Sequence, residues 1–196
     1  MGFHTFPMER ADALEDPSRY RFCSREELLE LLAPTPEDVV ADLGSGTGFY
    51  TDDVAPFAGT VYAVDVQSAM HDRYREKGAP ETVEFVTSEV SALPFADDEL
   101  DGAYSTMTHH EYASPLDADS GGDERPGDAV AELARVIRPG GRLVAVDWSA
   151  DGTGEDGPDL AERYSLEEAV AQLEAGGFTI ESARDRPETF ALVAVR

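Results

Sequence analysis

The sequence predicts an α/β protein: a doubly wound, Rossmann-like sheet of seven strands, mostly parallel with an antiparallel C-terminal strand, behind an N-terminal helical preface. Three observations carry this. Short β-branched runs alternate with helical patterns from residue 39 onward, as in a sheet covered by helices on both faces. The first run leads directly into three glycines spaced two apart, Gly44, Gly46 and Gly48. Finally, the chain closes with two runs split only by Pro187 and Glu188, a hairpin that turns the last strand antiparallel.

Taken in order, residues 1–38 form the preface and residues 39–196 the main domain. In the preface Ser24 and Glu27 form a capping box that opens "REELLELLA". "DVVADL" is the first strand and "TVYAVDV" the second. The helix "SAMHDRYREKG" follows, with Ser68 placed as N-cap and Gly78 as stop. "VEFVTS" and "LDGAYSTM" give strands three and four. The polar stretch "SPLDADSGGDERPGD", residues 114–128, is rich in glycine and proline and reads as a mobile loop. A helix then begins at Asp128 in "GDAVAELARVIRPGG" and ends at the Pro139, Gly140, Gly141 breaker, before strand five, "GRLVAVDW". Ser165 and Glu168 box the start of "LEEAVAQLEAGG", and "FTIESARDR" with "TFALVAVR" completes the sheet.

With 196 residues the chain is long enough for one compact domain. No run of eighteen apolar residues occurs, and the first residues have neither a basic start nor a long apolar core. A cytoplasmic protein with no membrane partner is therefore expected. A single cysteine, Cys23, excludes an internal disulfide framework and a multi-cysteine metal site, and no metal is expected. Forty-one acidic residues face fifteen Lys plus Arg, only Lys77 being lysine, for a formal charge of −26. Such self-repulsion weakens the compact state at low salt and is screened at molar salt, where the Debye length is about 3 Å. The surface thus reads as salt-adapted, and nucleic acid or an anionic membrane is an unsuitable partner. Thermal stability is expected to rise steeply from low salt to molar potassium chloride; a melting temperature indifferent to salt would refute the halophilic reading.

A glycine turn after the first strand of such a sheet lies at the crevice where these folds bind ligands, and glycine admits close backbone approach. Phe49 stands where a dinucleotide fingerprint has its third glycine, which argues against a nicotinamide or flavin site, and no Gly-Lys-Ser/Thr follows to make a Walker loop. Asp65 ends the second strand twenty-one residues beyond Gly44, a spacing suited to a carboxylate that accepts from both hydroxyls of a ribose.

With those residues in place, "VVADLGSGTG", "VYAVDVQSAM", "TSEVSALPFADDELDGAYS" and "RVIRPGGRLVAVDW" together resemble the motifs of the class I S-adenosylmethionine-dependent methyltransferases. The likeness is to the methyltransferase type 11 branch, typified by ubiquinone and menaquinone biosynthesis enzymes, and covers essentially residues 39–196. It implies S-adenosyl-L-methionine as cofactor. The backbone of Gly44, Ser45 and Gly46 would pass beneath its methionyl part, with Asp42 near the ammonium. Asp65 would hold the ribose with Val66 beside it, Glu89 would stand where the family usually has Asp against the adenine amino group, the Val90 amide would face a ring nitrogen, and Ser105 could offer backbone to the methionyl end. The longer Glu89 departs from the family pattern.

Methyl transfer from a sulfonium needs an in-line nucleophile held close, so orientation supplies much of the acceleration and a base is optional. In "MTHHEY", His109 and His110 are the candidate bases, each also readable as a packed or solvent-facing histidine, and Glu111 beside them is a candidate acceptor contact. Asp147 and Trp148 end strand five on the same edge, and Tyr20 or Phe22 of the preface could close the pocket; these are the candidate acceptor contacts. The expected acceptor is a small molecule. A protein that binds the cofactor as a sensor without transferring anything would keep the same cofactor motifs, and that alternative stays open.

Overall fold

The computed structural model describes residues 6–113 and 128–196. The stretch read as a polar loop lies outside the described residues except for its last member, Asp128. No helix among the described residues is long and apolar enough to cross a membrane.

The preface is helical, as expected, but two of its three segments are 3₁₀. Two 3₁₀ segments, Met8–Glu15 and Pro17–Arg21, precede α1, Arg25–Leu32. Asp16 accepts from the Ser18 amide and Pro17 sits at the first position of the second segment, so the chain is punctuated there and cannot run on as one α-helix. Ser24 caps α1 by accepting from the Glu27 amide. The Glu27 carboxylate, however, points to Arg186 at 2.8 and 2.9 Å, so only the forward half of the expected capping box forms.

Seven strands make one sheet in the order β3-β2-β1-β4-β5-β7-β6. They are β1 (Val39–Leu43), β2 (Thr60–Asp65), β3 (Val83–Thr87), β4 (Leu100–Thr106), β5 (Ile137–Trp148), β6 (Thr179–Asp185) and β7 (Thr189–Val195). β1 pairs in parallel with both β2 and β4, and β7 runs antiparallel between β5 and β6. The strand order reverses at β1, which opens a crevice beyond the carboxyl ends of β1 and β4.

Helices α2 (Phe49–Val54), α3 (Ser68–Lys77), α4 (His109–Tyr112), α5 (Asp128–Val136) and α6 (Leu166–Ala175) complete the fold. The period-2 alternation of the strands supplies two cores. Ala41, Leu43, Ala103, Leu143 and Ala145 face Leu133 and Val136 of α5 and Leu173 of α6. Val40, Val61, Tyr104, Val144 and Val146 face Leu28 and Leu32 of α1, Val54 of α2 and Tyr74 of α3 on the other side. Each fully buried leucine contributes about 1.5–3 kcal/mol relative to exposure, which is why nearly every strand residue in the centre is apolar.

Two element boundaries differ from expectation. The N-cap of α3 is Gln67, not Ser68, because the Asp65 carboxylate already accepts from the Gln67 amide at 2.8 Å and starts the turn one residue earlier. Helix α5 ends at Val136, and Pro139, Gly140 and Gly141 lie within β5: Leu100 pairs with Ile137 and Gly102 with Arg142, so residues 138–141 bulge opposite Asp101. The Gly140 amide donates to the Arg196 carbonyl, which keeps this bulge tied to the end of the chain. Gly78 ends α3 in the left-handed conformation and Ser165 with Glu168 forms a complete capping box on α6, both as expected.

Candidate active site

The turn after β1 is built by hydrogen bonds to β2. The Gly44 and Ser45 amides both donate to the Val64 carbonyl at 2.9 Å, the Gly48 amide donates back to Ser45, and the Gly46 amide donates to Asp65 Oδ2 at 2.9 Å. Gly44, Gly46 and Gly48 have φ of 79°, 53° and 84°, the left-handed region where a Cβ is costly. Protein atoms, not open cavity, fill the space beside two of them. A Cβ on Gly44 would overlap the Thr108 side chain, and one on Gly48 would overlap the ring of Tyr74. At Gly46 the nearest atom would be Leu14 Cδ1, 3.1 Å away, so the preface lies directly over the turn.

A cleft opens between this turn, the end of β2 and the segment after β4. Asp42, Gly44, Ser45, Gly46, Asp65, Val66, Val90 and Glu111, all named from the sequence, line it. Residues that sequence reasoning missed complete its walls, among them Leu14 and Arg19 from the preface and Met107 after β4, beside Thr108 of the "MTHHEY" segment. Thr108 Oγ1 donates to the Leu43 carbonyl at 3.0 Å and so pins the β4 exit onto the β1 exit. Met107 adopts φ 63° while its amide donates to Val146, a left-handed conformation unusual for a side-chain-bearing residue, of the kind that collects at functional sites.

Asp42 is buried at the end of β1. Its Oδ2 accepts from Thr51 Oγ1 at 2.6 Å, while Oδ1 has no well-formed hydrogen bond. Burial raises its pKa to about 7, against the opposing pull of hydrogen bonding and of Arg19. The Arg19 guanidinium donates to the Leu14 carbonyl at 2.8 Å and lies 5.3 and 5.1 Å from the ring centroids of Phe49 and Tyr50. Asp65 accepts one backbone N–H on each oxygen, from Gly46 and Gln67; burial outweighs these bonds and its pKa is raised. Glu111 is pushed up to about 7 by burial and by the charges of Asp147 and Asp65, with His110 opposing.

The remaining candidates stand outside the cleft lining. His109 is fully buried, with Nδ1 3.2 Å from the Tyr112 hydroxyl and Nε2 2.9 Å from Gln172 Oε1, and burial lowers its pKa. Both ring nitrogens are engaged in the core, so it cannot present itself to an acceptor. His110 turns the other way. Its amide donates to Asp147 Oδ2 at 2.6 Å and its Nδ1 lies 2.9 Å from Asp147 Oδ1. Burial works against its imidazolium, but Asp147 outweighs burial and the pKa is raised. Asp147, itself buried, thus anchors α4 to β5 and does not line the cleft.

Trp148 packs against Phe22 at 4.6 Å between centroids. Tyr20 donates to Asp53 at 2.9 Å and packs against Phe49, and neither Tyr20 nor Phe22 lines the cleft, whereas Leu14 and Arg19 of the preface do. Ser105 is buried in β4, one residue before the lining begins at Thr106. Glu89 is exposed and accepts from Ser91 Oγ at 3.3 Å, while Ser88 and Val90 on either side line the cleft.

A family model described as a methyltransferase domain matches residues 41–145, more than half of the chain, from within β1 to within β5. The chain belongs to the class I S-adenosylmethionine-dependent methyltransferases. A crystal structure of such a methyltransferase from Aquifex aeolicus has a TM-score of 0.82 at 28% identity, covering 97% of this chain and 98% of that one. Among curated proteins, the ubiquinone/menaquinone biosynthesis C-methyltransferase of Ectopseudomonas mendocina is 30% identical over 148 residues, 69% of this chain. The chain spans only half the length of that relative. A chain from the complex of the Haloferax volcanii Trm112 methyltransferase activator with a methyltransferase shares the fold, with a TM-score of 0.76 at 18% identity.

Proposed function

We propose that this methyltransferase binds S-adenosylmethionine in the cleft and transfers its methyl group to a small-molecule acceptor. The observation that carries the reading is that Asp42 and Arg19 line one cleft. Asp42 Oδ1 is buried with no well-formed hydrogen bond, only the Tyr104 hydroxyl of β4 lying near enough to act on the carboxylate, and a buried carboxylate oxygen is expensive unless a donor reaches it. The ammonium of an α-amino acid supplies that donor, and the nearby guanidinium suits the carboxylate of the same zwitterion. Asp65 keeps lone pairs free on both oxygens for the ribose hydroxyls, and Val90 with Ser88 offers a wall for the adenine. The residues present therefore fit the cofactor at each of its polar ends.

When bound, the cofactor supplies an electrophilic methyl on its sulfonium. The chain's part is to hold and to exclude: Leu14 covers the glycine turn, Arg19 and Phe49 close the preface side, and Thr108 fixes the β4 exit. Among the described residues no histidine lines the cleft, so orientation takes precedence over catalysis by His109 or His110. The acidic surface favours a neutral or cationic acceptor over nucleic acid or anionic lipid.

Calorimetry tests the reading. S-adenosylhomocysteine is expected to bind with a micromolar Kd, on the order of −8 kcal/mol, and NAD not to bind. Binding of NAD in preference to S-adenosylhomocysteine would replace the cofactor assignment. Affinity should also follow pH. Free Asp42 is protonated below about 7, and an ammonium selects its carboxylate, so S-adenosylhomocysteine should bind more tightly as pH rises from 6 to 8. Asp42→Asn should bind more weakly and flatten this dependence; a wild-type affinity constant across the range would remove Asp42 from the ammonium site.

A further inference from the structure

The cleft carries more negative charge than the zwitterion and the ribose require. Among its described lining residues are three carboxylates, Asp42, Asp65 and Glu111, and one cation, Arg19. Asp42 with Arg19 and Asp65 already have roles in the reading above, on which this inference rests. Glu111 has none. It projects from α4, whose start is held on both sides: Thr108 bonds to the β1 exit, and the His110 amide and ring are held by Asp147 of β5. No side-chain hydrogen bond to the Glu111 carboxylate exists among the described residues, although that carboxylate lines the cleft. The charged groups that act on it are His110 beside it, Asp147 behind it and Asp65 at the end of β2.

Covalent order constrains what comes near Glu111. In S-adenosylmethionine the sulfonium lies between the amino-acid end and the ribose, hence between the groups assigned to Asp42 and to Asp65. Thr108, packed against Gly44, fixes the start of α4 against the glycine turn, and Glu111 lines the same cleft as both of those carboxylates. We propose that Glu111 is a charge-selecting residue whose carboxylate pairs with the sulfonium, so that the protein distinguishes the cationic cofactor from its neutral thioether product. In the empty cleft, burial and two neighbouring acids favour the protonated form of Glu111, and a cation in the cleft favours the ionised form. Loading the cofactor then releases a proton from Glu111 to solvent, and loss of the methyl cation lets Glu111 take one back. The carboxylate thereby shifts the balance of affinities towards the cofactor and away from the product, relative to a neutral side chain at this position.

The test uses two ligands that differ only at sulfur. S-adenosylmethionine and S-adenosylhomocysteine carry the same ammonium, carboxylate, ribose and adenine, so any proton released by Asp42 cancels in the comparison. Calorimetry of each ligand at pH 7, in phosphate and in Tris, counts the protons released from the difference in apparent enthalpy. Wild type should release more protons with S-adenosylmethionine. Its preference for that ligand should grow as pH rises from 6 to 8, because Glu111 ionises in that window. Glu111→Gln should remove the extra proton and lower the preference about tenfold, the scale of one charge-assisted contact, while changing S-adenosylhomocysteine affinity far less. Equal proton release and an unchanged preference in Glu111→Gln would overturn the proposal. So would a wild-type preference that does not vary with pH, a measurement that needs no variant. Failure of both ligands to bind would instead overturn the cofactor reading itself, and this inference with it.

Discussion

Gly48→Val is expected to cost most of the stability of the fold, and Gly48→Ala a large part of it. Gly48 caps α2 at φ 84°, and a side chain in the left-handed region costs about 1–2 kcal/mol from backbone sterics alone. The added Cβ would overlap the Tyr74 ring. That ring cannot retreat, since it is completely buried, its hydroxyl donates to Asp52 at 2.6 Å, and its face meets Phe85 edge-on at 5.4 Å between centroids. Overpacking a fixed neighbour adds about 1–3 kcal/mol. The sum, roughly 2–5 kcal/mol, is a large share of the 5–15 kcal/mol typical of a domain. Gly78→Ala is the control, because Gly78 has φ 99° but nothing within 4 Å of its Cβ. Urea midpoints should fall much further for Gly48→Ala than for Gly78→Ala. Equal falls would mean that backbone conformation alone, and not the contact with Tyr74, requires glycine at 48.

The same comparison shows what the sequence could and could not convey. Three glycines after a strand announce a turn, and the periodicity of the flanking runs places that turn at the crevice of a doubly wound sheet. The mostly parallel sheet and its antiparallel last strand were legible too, from the alternation of strands with helices and the closing hairpin, whereas the strand order came from the structure. The identity of the neighbours was not. Thr108 lies 64 positions from Gly44 and Tyr74 lies 26 from Gly48, and no local pattern records that these side chains fill the space the glycines leave. Residues on the strand ends, Asp42 and Asp65, were found because their place follows from strand register. Arg19 and Leu14 were missed because the preface is irregular, and an arginine among surface arginines carries no mark of being drawn inward. The histidine pair in "THHEY" had the chemistry of a base, but a four-residue helix turns successive side chains about 100° apart. That rotation sends His109 into the core, His110 to Asp147 and Glu111 to the cleft. Residue type named the segment; only the helical phase selects the residue.

Asp65→Ala is expected to weaken S-adenosylhomocysteine binding by about 10- to 150-fold, the range that corresponds to the 1.5–3 kcal/mol of a hydrogen bond to a charged group. The carboxylate serves two ends. Inward it accepts from the Gly46 and Gln67 amides, fixing the glycine turn and starting α3; towards the cleft its free lone pairs suit a diol. Alanine removes both, so a loss of affinity by itself could come from a displaced turn. The two origins separate when the ligand is changed as well as the protein. A 2′,3′-dideoxy analogue of S-adenosylhomocysteine lacks the hydroxyls but needs the same turn beneath its methionyl end. If Asp65 holds the ribose, the mutation should cost much less affinity for the analogue than for the parent ligand, a difference of at least tenfold. Should the two ligands lose equally, the carboxylate acts through Gly46 and Gln67, and the ribose finds its partners elsewhere in the cleft.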